Sequence, residues 1–358
     1  MDNERYKRQL ILKGFGATAQ QKLANASVLV VGAGGLGVPV LTYLNAMGVG
    51  RIGILDGDTV SFSNLHRQVL YVESDVGLSK VDVAKEKLSA QNSNTVLEGY
   101  NYFLTKDNAL ETIAQFDIVV DASDNFPTRY LVNDACVLLK KPFVYGALHA
   151  FEGQVSVFNY QKGPTYRCLF PNMPKPDEVP DCNENGVLGI LPGIVGNLQA
   201  LETIKLITGV GEVLSGQLAL FDGLGTVLRK IRFSAIPENL QITALRDNYE
   251  LECAVAPVTS VTALEFQELL ELGNPQVIDV RTLSEYEGQR LSVARHIPLT
   301  ELEQRKDEID VKRPVYFLCQ SGIRSAKGIS LLASYFPKAT LINVTGGMNQ
   351  LRSYAATH

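Results

Sequence analysis

The chain has 358 residues, enough for two or three domains. Hydrophobic residues make up 46% of it and charged residues 20%, as in globular proteins with buried cores. The formal net charge of −5 and the scattered lysines and arginines argue against a nucleic-acid partner.

The charged N-terminal segment does not lead into an apolar stretch, which argues against a signal peptide. The most apolar stretch, residues 187–207, contains a proline and several polar residues and therefore predicts a buried helix rather than a membrane span. The five cysteines are scattered and odd in number, which favours a reducing compartment over a disulfide framework. We therefore expect a cytoplasmic protein without a membrane partner.

The first part of the chain alternates strand-like and helix-like patterns. Strands are predicted at 28–31, 52–56, 96–100, 118–121 and 143–145. Helices are predicted at 36–47, 80–91 and 129–139. This alternation predicts parallel βαβ units in an α/β, doubly wound, Rossmann-like sheet.

After Gly153 the pattern changes. Period-two alternation at 154–158, 218–221 and 227–233 predicts an antiparallel extension of the sheet, with a mostly buried helix at 191–206. Residues 164–186 are rich in Pro, Asn and Asp and show no periodicity. Long loops of this kind are often functional.

A break near residues 248–258 precedes a second α/β unit. Its predicted elements are a helix at 263–270, strands at 277–280 and 315–318, a helix at 325–335 and a strand at 339–344. We therefore predict a first domain at 1–250, a linker at 251–258 and a small C-terminal α/β domain at 259–358.

A glycine-rich turn follows the first predicted strand and opens a helix. Its glycines are Gly32, Gly34, Gly35 and Gly37. Glycine permits a tight turn and close approach of backbone N–H groups to a phosphate at the helix N-terminus. Asp56, at the end of the second predicted strand, lies where an acceptor for a ribose hydroxyl belongs. These residues alone are also compatible with an NAD enzyme or with a tight turn that binds no ligand.

Several further motifs occur in order along the first domain. They are residues 55–68, then Gly77-Leu78-Ser79-Lys80 and Asp121-Ala122-Ser123-Asp124-Asn125, with Arg5-Tyr6-Lys7-Arg8-Gln9 before them. Over residues 4–247 the chain resembles the HesA/MoeB/ThiF family of adenylyltransferases, which activate ubiquitin-like sulfur carriers.

The resemblance implies ATP and Mg²⁺ as cofactors, a homodimer, and a small ubiquitin-like carrier ending in Gly-Gly as partner. It assigns the ribose to Asp56, Mg²⁺ to Asp124, and a contribution across the dimer to Arg8. It assigns phosphate contacts to Asn64, Arg67 and Lys80.

The chemistry agrees with this assignment. Attack of a carboxylate on the α-phosphate places negative charge on phosphoryl oxygens and on the departing pyrophosphate, and cations stabilise that charge. Two alternatives stay open: Arg67 and Lys80 could be solvated surface cations, and Asp124 could merely cap the helix that starts near Phe126.

Members of the resembled family commonly hold zinc between two CxxC pairs. The corresponding positions here are Thr165 with Cys168 and Glu250 with Cys253. Because structural zinc takes four Cys or His ligands, zinc is not expected.

Two other cysteines have separate interpretations. Cys182, in the long loop, is a candidate acyl or persulfide relay thiol by resemblance, or an incidental loop cysteine. Cys136 is predicted to lie in the core.

The second unit contains a six-residue Cys-x4-Arg loop, from Cys319 to Arg324, between a predicted strand and helix. Backbone N–H groups of such a turn, and the helix N-terminus, favour negative charge on the sulfur. Arg324 could pair with an anionic sulfur donor such as thiosulfate.

Residues 258–352 resemble rhodanese sulfurtransferases. The supporting motifs are Val277-Ile278-Asp279-Val280-Arg281, Glu285-Tyr286, Ile297-Pro298-Leu299 and Thr345-Gly346-Gly347-Met348. Residues 289–294 depart from the family pattern and the usual tryptophan is absent, which leaves the sulfur donor open. The alternative is an inactive, regulatory rhodanese fold.

Together these features predict ATP-dependent adenylation of the carrier's C-terminal glycine. Sulfur is then transferred from a Cys319 persulfide, which a persulfide donor has loaded. The same chemistry serves the synthesis of molybdopterin, thiamine or a related sulfur compound. The alternatives are a nucleotide-binding regulator or scaffold without catalysis, and an NAD-linked oxidoreductase. The sequence leaves open the carrier, the pathway, the use of Cys182, and whether sulfur passes within one chain or between subunits.

Overall fold

A computed structural model describes residues 4–174, 186–249, 258–273 and 275–355. The chain divides into two compact units, Met1–Leu251 and Glu252–His358. Within the described residues, no helix combines the length and hydropathy that a bilayer crossing requires.

The first unit contains an eight-stranded sheet with the order β3-β2-β1-β4-β5-β6-β7-β8. Its strands are β1 (Ser27–Val31), β2 (Arg51–Leu55), β3 (Val96–Tyr100), β4 (Ile118–Asp121), β5 (Phe143–His149), β6 (Glu152–Phe158), β7 (Gln217–Asp222) and β8 (Val227–Arg232). Strands β1 to β5 pair in parallel, whereas β6, β7 and β8 add antiparallel strands. The predicted doubly wound sheet with an antiparallel extension is therefore confirmed.

Helices cover this sheet. They are α1 (Lys7–Leu10), α2 (Gly16–Asn25), α3 (Gly37–Ala46), α4 (Lys80–Gln91), α5 (Lys106–Ala114), α6 (Phe126–Leu138), α7 (Tyr166–Leu169) and α8 (Leu191–Thr208). The predicted buried helix corresponds to α8. The sequence analysis did not identify α2 and α5, because each buries only three residues and one of those in each helix is polar, Gln20 or Thr112.

The core of the first unit lies on both faces of the sheet. Along β1, Val28 and Val30 belong to one apolar cluster, and Leu29 and Val31 belong to another. Because successive side chains of a strand point to opposite faces, a parallel strand with helices on both sides is apolar throughout.

The strand order reverses at β1, which pairs with β2 on one side and with β4 on the other. In register, Val31 faces Leu55 on β2 and Asp121 on β4. The carboxyl ends of these three strands therefore meet at one edge of the sheet. In open α/β sheets this reversal opens a crevice that binds ligands.

The second unit is a smaller five-stranded parallel sheet with the order β11-β10-β12-β13-β9. Its strands are β9 (Ser260–Val261), β10 (Gln276–Asp279), β11 (Ala294–His296), β12 (Val315–Leu318) and β13 (Leu341–Val344). Its helices are α9 (Ala263–Leu272), α10 (Leu283–Gly288), α11 (Ile323–Ala333) and α12 (Gly347–Ala355). The predicted small α/β fold is confirmed, and α11 begins two residues before the predicted helix.

Candidate functional site

The glycine-rich turn packs tightly at the carboxyl end of β1. Gly32 has a φ of +101°, and a Cβ there would lie 2.7 Å from the carbonyl oxygen of Ala122. A Cβ on Gly37 would lie 1.8 Å from the carbonyl oxygen of Gly32. These two positions exclude any larger residue, so the turn and the start of α3 have the close backbone approach that the spacing predicts.

The other two glycines of the turn lie near side chains of the segment that follows β2, and Gly35 also lies near Pro192 of α8. A Cβ on Gly34 would lie 3.4 Å from Gln68 Nε2, and one on Gly35 would lie 3.6 Å from Arg67 Cγ. The structure therefore brings the stem of Arg67 beside the glycine turn.

Arg67 and Asn64 lie close together on this segment. The Arg67 guanidinium is 3.2 Å from the carbonyl oxygen of Ser63 and 2.8 Å from His66 Nε2. Asn64 ends a short 3₁₀ turn, and its carbonyl oxygen accepts from the N–H of Arg67. Both side chains are half-buried, and their phosphate contacts stay a prediction.

Asp56 ties the end of β2 to the glycine turn. Its carboxylate accepts hydrogen bonds from the backbone N–H of Ala33 and from that of Asp58, each at 2.8 Å. Burial raises the pKa of the Asp56 carboxyl, while the nearby Lys80 ammonium and the two N–H donors act in the opposite direction. A buried carboxylate is thus fixed beside the turn, where the sequence predicted the ribose acceptor.

Lys80 is the first residue of α4, and it is 5% exposed. Its ammonium lies 2.9 Å from Asp58 Oδ2 and 3.9 Å from Asp56 Oδ2. The alternative that Lys80 is a solvated surface cation is therefore wrong. Burying an ammonium group is costly unless carboxylates compensate its charge, and both aspartates do so here.

Tyr71 joins the glycine turn to Lys80, a connection that the sequence analysis missed. Its buried hydroxyl lies 2.8 Å from the carbonyl oxygen of Ala33 and 3.3 Å from that of Lys80. Burial raises the pKa of the Tyr71 phenol, which keeps the hydroxyl a donor. No motif or spacing marks this residue, because its role depends on two chain segments that meet only in the fold.

Asp124 follows the carboxyl end of β4 and is exposed. It does not cap α6: Asn125 is the N-cap residue, and its side chain accepts from the N–H of Thr128 at 2.9 Å. The capping alternative for Asp124 is therefore wrong. Three residues earlier, the fully buried Asp121 accepts from the N–H and hydroxyl of Ser123, which fixes the turn that presents Asp124.

Arg129, a buried cation, also contacts this turn. Arg129 Nε lies 3.6 Å from Asp121 Oδ2, and its guanidinium donates to the carbonyl oxygen of Ser123 at 3.2 Å. Burial raises the pKa of the Asp121 carboxyl, and Arg129 opposes this shift.

Arg8 lies on the exposed helix α1. The neighbouring Gln9 donates to Gln20 Oε1 at 2.7 Å, which attaches α1 to α2. The contribution of Arg8 to a second subunit stays a prediction.

Cys168, at the position that corresponds to a CxxC pair in the resembled family, has hydrogen-bond partners within the protein. Its sulfur accepts from the N–H of Ile236 at 3.2 Å and lies 3.3 Å from Thr165 Oγ. Among the described residues, no three His, Cys, Asp or Glu side chains form a metal-binding group. The expectation of no zinc stays a prediction. Cys182, Glu250 and Cys253 lie outside the described residues.

Cys136 is fully buried in the core of the first unit, as predicted, and burial raises the pKa of its thiol.

In the second unit, Cys319 directly follows β12 and is fully buried. Its sulfur accepts from the N–H of Gly322 at 3.1 Å and lies 3.3 Å from Ser325 Oγ. Gly322 has a φ of +93° at the N-cap of α11, a conformation that favours glycine. The N–H of Met348 donates to the carbonyl oxygen of Cys319 at 2.9 Å, so the predicted C-terminal motif supports the loop.

The Arg324 guanidinium is held by Glu285. Its two terminal nitrogens donate to the two carboxylate oxygens at 2.6 and 2.7 Å. This pairing lowers the pKa of Glu285 to about 2. The predicted contact between Arg324 and an anionic donor stays a prediction, and Glu285 is its partner in this structure.

Family comparison agrees with both units. The model of the ThiF family matches residues 6–241, and that of the rhodanese-like domain matches residues 262–353.

Two curated relatives align with this chain over different extents. The "Adenylyltransferase and sulfurtransferase MOCS3" of Aedes aegypti is 41% identical over 374 residues, covering 96% of this chain and 85% of the relative. The "Sulfur carrier protein adenylyltransferase" of Thermus thermophilus is 54% identical over 233 residues, covering 64% of this chain and 86% of the relative.

Among solved structures, a crystal structure of E. coli MccB with ATP has a TM-score of 0.59 at 26% identity and covers 66% of this chain and 73% of MccB. Because the ThiF model matches residues 6–241 and the rhodanese-like model residues 262–353, the chain belongs to the ThiF family, and a rhodanese-like domain follows its ThiF region.

Proposed function

We propose that this protein is an adenylyltransferase with a fused sulfurtransferase. It uses ATP to adenylate the C-terminal glycine of a ubiquitin-like sulfur carrier ending in Gly-Gly, and then transfers sulfur to that carboxyl group from a persulfide on Cys319. The proposal includes a homodimer, a persulfide sulfur donor and a cytoplasmic location. The names of the mosquito and Thermus relatives support it.

The observation that carries the first half is the position of Lys80. A nearly buried ammonium lies between Asp56 and Asp58 beside a glycine turn, at the point where the sheet reverses its order. Hydride transfer has no use for a set of cations and a carboxylate that converge on the phosphates, whereas adenylyl transfer develops charge that cations stabilise.

In the proposed reaction, the carboxylate of the carrier attacks the α-phosphorus of ATP. An acyl-adenylate forms and pyrophosphate leaves. Backbone N–H groups of the glycine turn and the Asn64, Arg67 and Lys80 side chains hold the phosphates, and Asp56 accepts from the ribose. Arg8 of the partner subunit adds a further cation.

The donor set at the end of β4 fits Mg²⁺. The exposed Asp124 offers a hard oxygen ligand, and magnesium is usually bound through one or two carboxylates together with substrate phosphates. When bound, the ion supplies charge neutralisation on the phosphates. The Asp121–Ser123 hydrogen bonds hold the carboxylate-bearing turn in one conformation.

The second half of the reaction uses the Cys319 loop. The terminal sulfur of the Cys319 persulfide attacks the acyl carbon, and AMP leaves. A thiol then attacks the sulfur of Cys319 in the acyl disulfide, which releases the carrier thiocarboxylate and leaves a disulfide between Cys319 and that thiol. Cys182 is kept as a candidate acyl or persulfide relay thiol.

The test combines three measurements on the full chain with a Gly-Gly-ended carrier obtained by pull-down. We expect carrier-dependent ATP–pyrophosphate exchange, AMP release when a sulfur donor is present, and exchange of one C-terminal oxygen of the carrier for sulfur by mass. Cys319→Ser should retain ATP–pyrophosphate exchange and lose the incorporation of sulfur into the carrier. The absence of carrier-dependent exchange with every such carrier would reject adenylation.

AMP release and a nucleotide-binding assay separate the two other functions. A nucleotide-binding scaffold would bind ATP without releasing AMP. An NAD-linked oxidoreductase would prefer NAD over ATP in a binding assay.

A further inference from the structure

In the rhodanese-like unit, Arg324 of the Cys319 loop is paired with Glu285, whose carboxylate has further hydrogen bonds. Glu285 accepts both terminal nitrogens of Arg324, and it also accepts from the N–H and hydroxyl of Thr282 at 2.9 and 2.8 Å. Bidentate, charge-assisted pairs of this kind are among the strongest protein hydrogen bonds. The guanidinium is therefore held in one orientation with its charge compensated.

A second arginine reaches the same loop and is compensated in the same way. The fully buried Arg281 lies 3.5 Å from Gln320 Oε1, and it pairs with Asp279 at 2.7 Å. The groups that contact the Cys319 sulfur, the N–H of Gly322 and the Ser325 hydroxyl, carry no charge. Each arginine at this loop thus has a carboxylate partner.

We propose that Glu285 is a positioning residue that determines the choice of sulfur donor. By holding Arg324, it lowers the reactivity of the loop towards the dianion thiosulfate relative to an alkyl persulfide. The inference rests on the proposed sulfurtransferase activity of Cys319.

The two donors differ in the charge that the loop must accept. With a persulfide R–S–SH, the Cys319 thiolate attacks the terminal sulfur, the donor S–S bond breaks, and R–S⁻ leaves, so that Cys319 becomes Cys–S–SH. With thiosulfate, the same attack on the sulfane sulfur releases SO₃²⁻ and leaves Cys–S–S⁻. A dianion gains most from a cation that is free to approach it, and Glu285 competes for that cation.

The test compares how fast thiosulfate and cysteine persulfide load sulfur onto Cys319 in the full-length chain, without ATP or carrier. Intact mass spectrometry measures the sulfur added. Glu285→Gln keeps the N3 position of the α10 capping box, because glutamine serves there as well as glutamate, but it removes the charge. We expect the ratio of the second-order rate constant of loading by thiosulfate to that of loading by cysteine persulfide to rise about tenfold.

Three further variants make the result specific. Glu287→Gln, an exposed neighbour on the same helix, should leave the ratio unchanged. Glu285→Asp retains the charge and should move the ratio less than Glu285→Gln. The double variant E285Q/R324Q should lose the gain, because the gain depends on the released guanidinium.

The outcomes are distinguishable. If the donor ratio in E285Q equals that of wild type, or if loading by both donors falls equally, the role of Glu285 is overturned. Loading of wild-type Cys319 would still support the sulfurtransferase activity in that case. If E285Q does not fold, Glu285→Asp takes its place: a rise of the ratio, even a small one, supports the proposal, and a ratio equal to that of wild type or an equal loss with both donors rejects it. No loading of wild-type Cys319 by either donor rejects both proposals.

Discussion

The Lys80 ammonium lies 2.9 Å from Asp58 Oδ2, yet the two side chains differ greatly in exposure, 6% for Lys80 and 57% for Asp58. The cation is thus buried, and its carboxylate partner is on the solvent side. In the proposed reaction, a phosphate takes the place of the exposed Asp58, and Lys80 stays buried beside Asp56.

Replacing Lys80 tests this arrangement. We expect Lys80→Gln to lower carrier-dependent ATP–pyrophosphate exchange by about 100-fold, because an interaction with developing phosphoryl charge is lost. Lys85, exposed on the same helix, provides the matched control, and Lys85→Gln should keep the rate within about twofold. Equal rates for the two variants would show that Lys80 serves only the fold.

The glycine turn gives a prediction about stability. Because a Cβ on Gly37 would lie 1.8 Å from the carbonyl oxygen of Gly32, Gly37→Ala must displace backbone. We expect it to lower the free energy of unfolding by about 2 kcal/mol or more. At Gly193, within α8, a Cβ meets open space, so Gly193→Ala should be neutral or stabilising by up to about 1 kcal/mol. Thermal unfolding compares the two, and similar losses would contradict the steric argument.

Tyr71 provides a test of how the turn and Lys80 are held together. Tyr71→Phe retains the ring and removes the hydroxyl that contacts the Ala33 and Lys80 carbonyl oxygens. We expect the KM for ATP to rise by roughly five- to tenfold, since about 1 kcal/mol of hydrogen bonding between the two parts of the site is lost. Tyr43→Phe, at a side chain that is 53% exposed, is the control. A fall in thermal stability with an unchanged KM would assign Tyr71 to packing alone.

The residues that the sequence marked are those whose role depends on local spacing. Gly32 and Gly37 reveal a tight turn because strand, glycines and helix are contiguous, and Cys319 to Arg324 reveals its loop for the same reason. The apolar run of β1 likewise predicts a strand buried on both faces.

What the sequence could not predict depends on contacts between distant segments. Tyr71 meets Ala33 across 38 positions, and Glu285 meets Arg324 across 39. The burial of Lys80 is a related case, because the first turn of a helix is usually solvated and only the surrounding fold covers this one. The capping alternative for Asp124 was wrong because the adjacent Asn125 takes that position.

The Arg324–Glu285 pair predicts how stability depends on pH. Pairing with Arg324 lowers the pKa of Glu285 from 4.5 to about 2 in the folded protein. A carboxyl group whose folded pKa is depressed stabilises the fold above its unfolded pKa, and that stabilisation is lost as the pH falls towards the folded value. The contribution of Glu285 should therefore be complete above about pH 5 and decline from there towards pH 2.

The measurement is the difference in unfolding free energy between wild type and Glu285→Gln, obtained by urea denaturation of the full chain from pH 7 to pH 3. We expect this difference to favour wild type at pH 7 and to shrink as the pH falls, because glutamine does not titrate. Glu287→Gln, at an exposed side chain on the same helix, is measured beside it as the control. A Glu285→Gln difference that stays constant from pH 7 to pH 3 would mean that the ion pair contributes no charge-dependent stability.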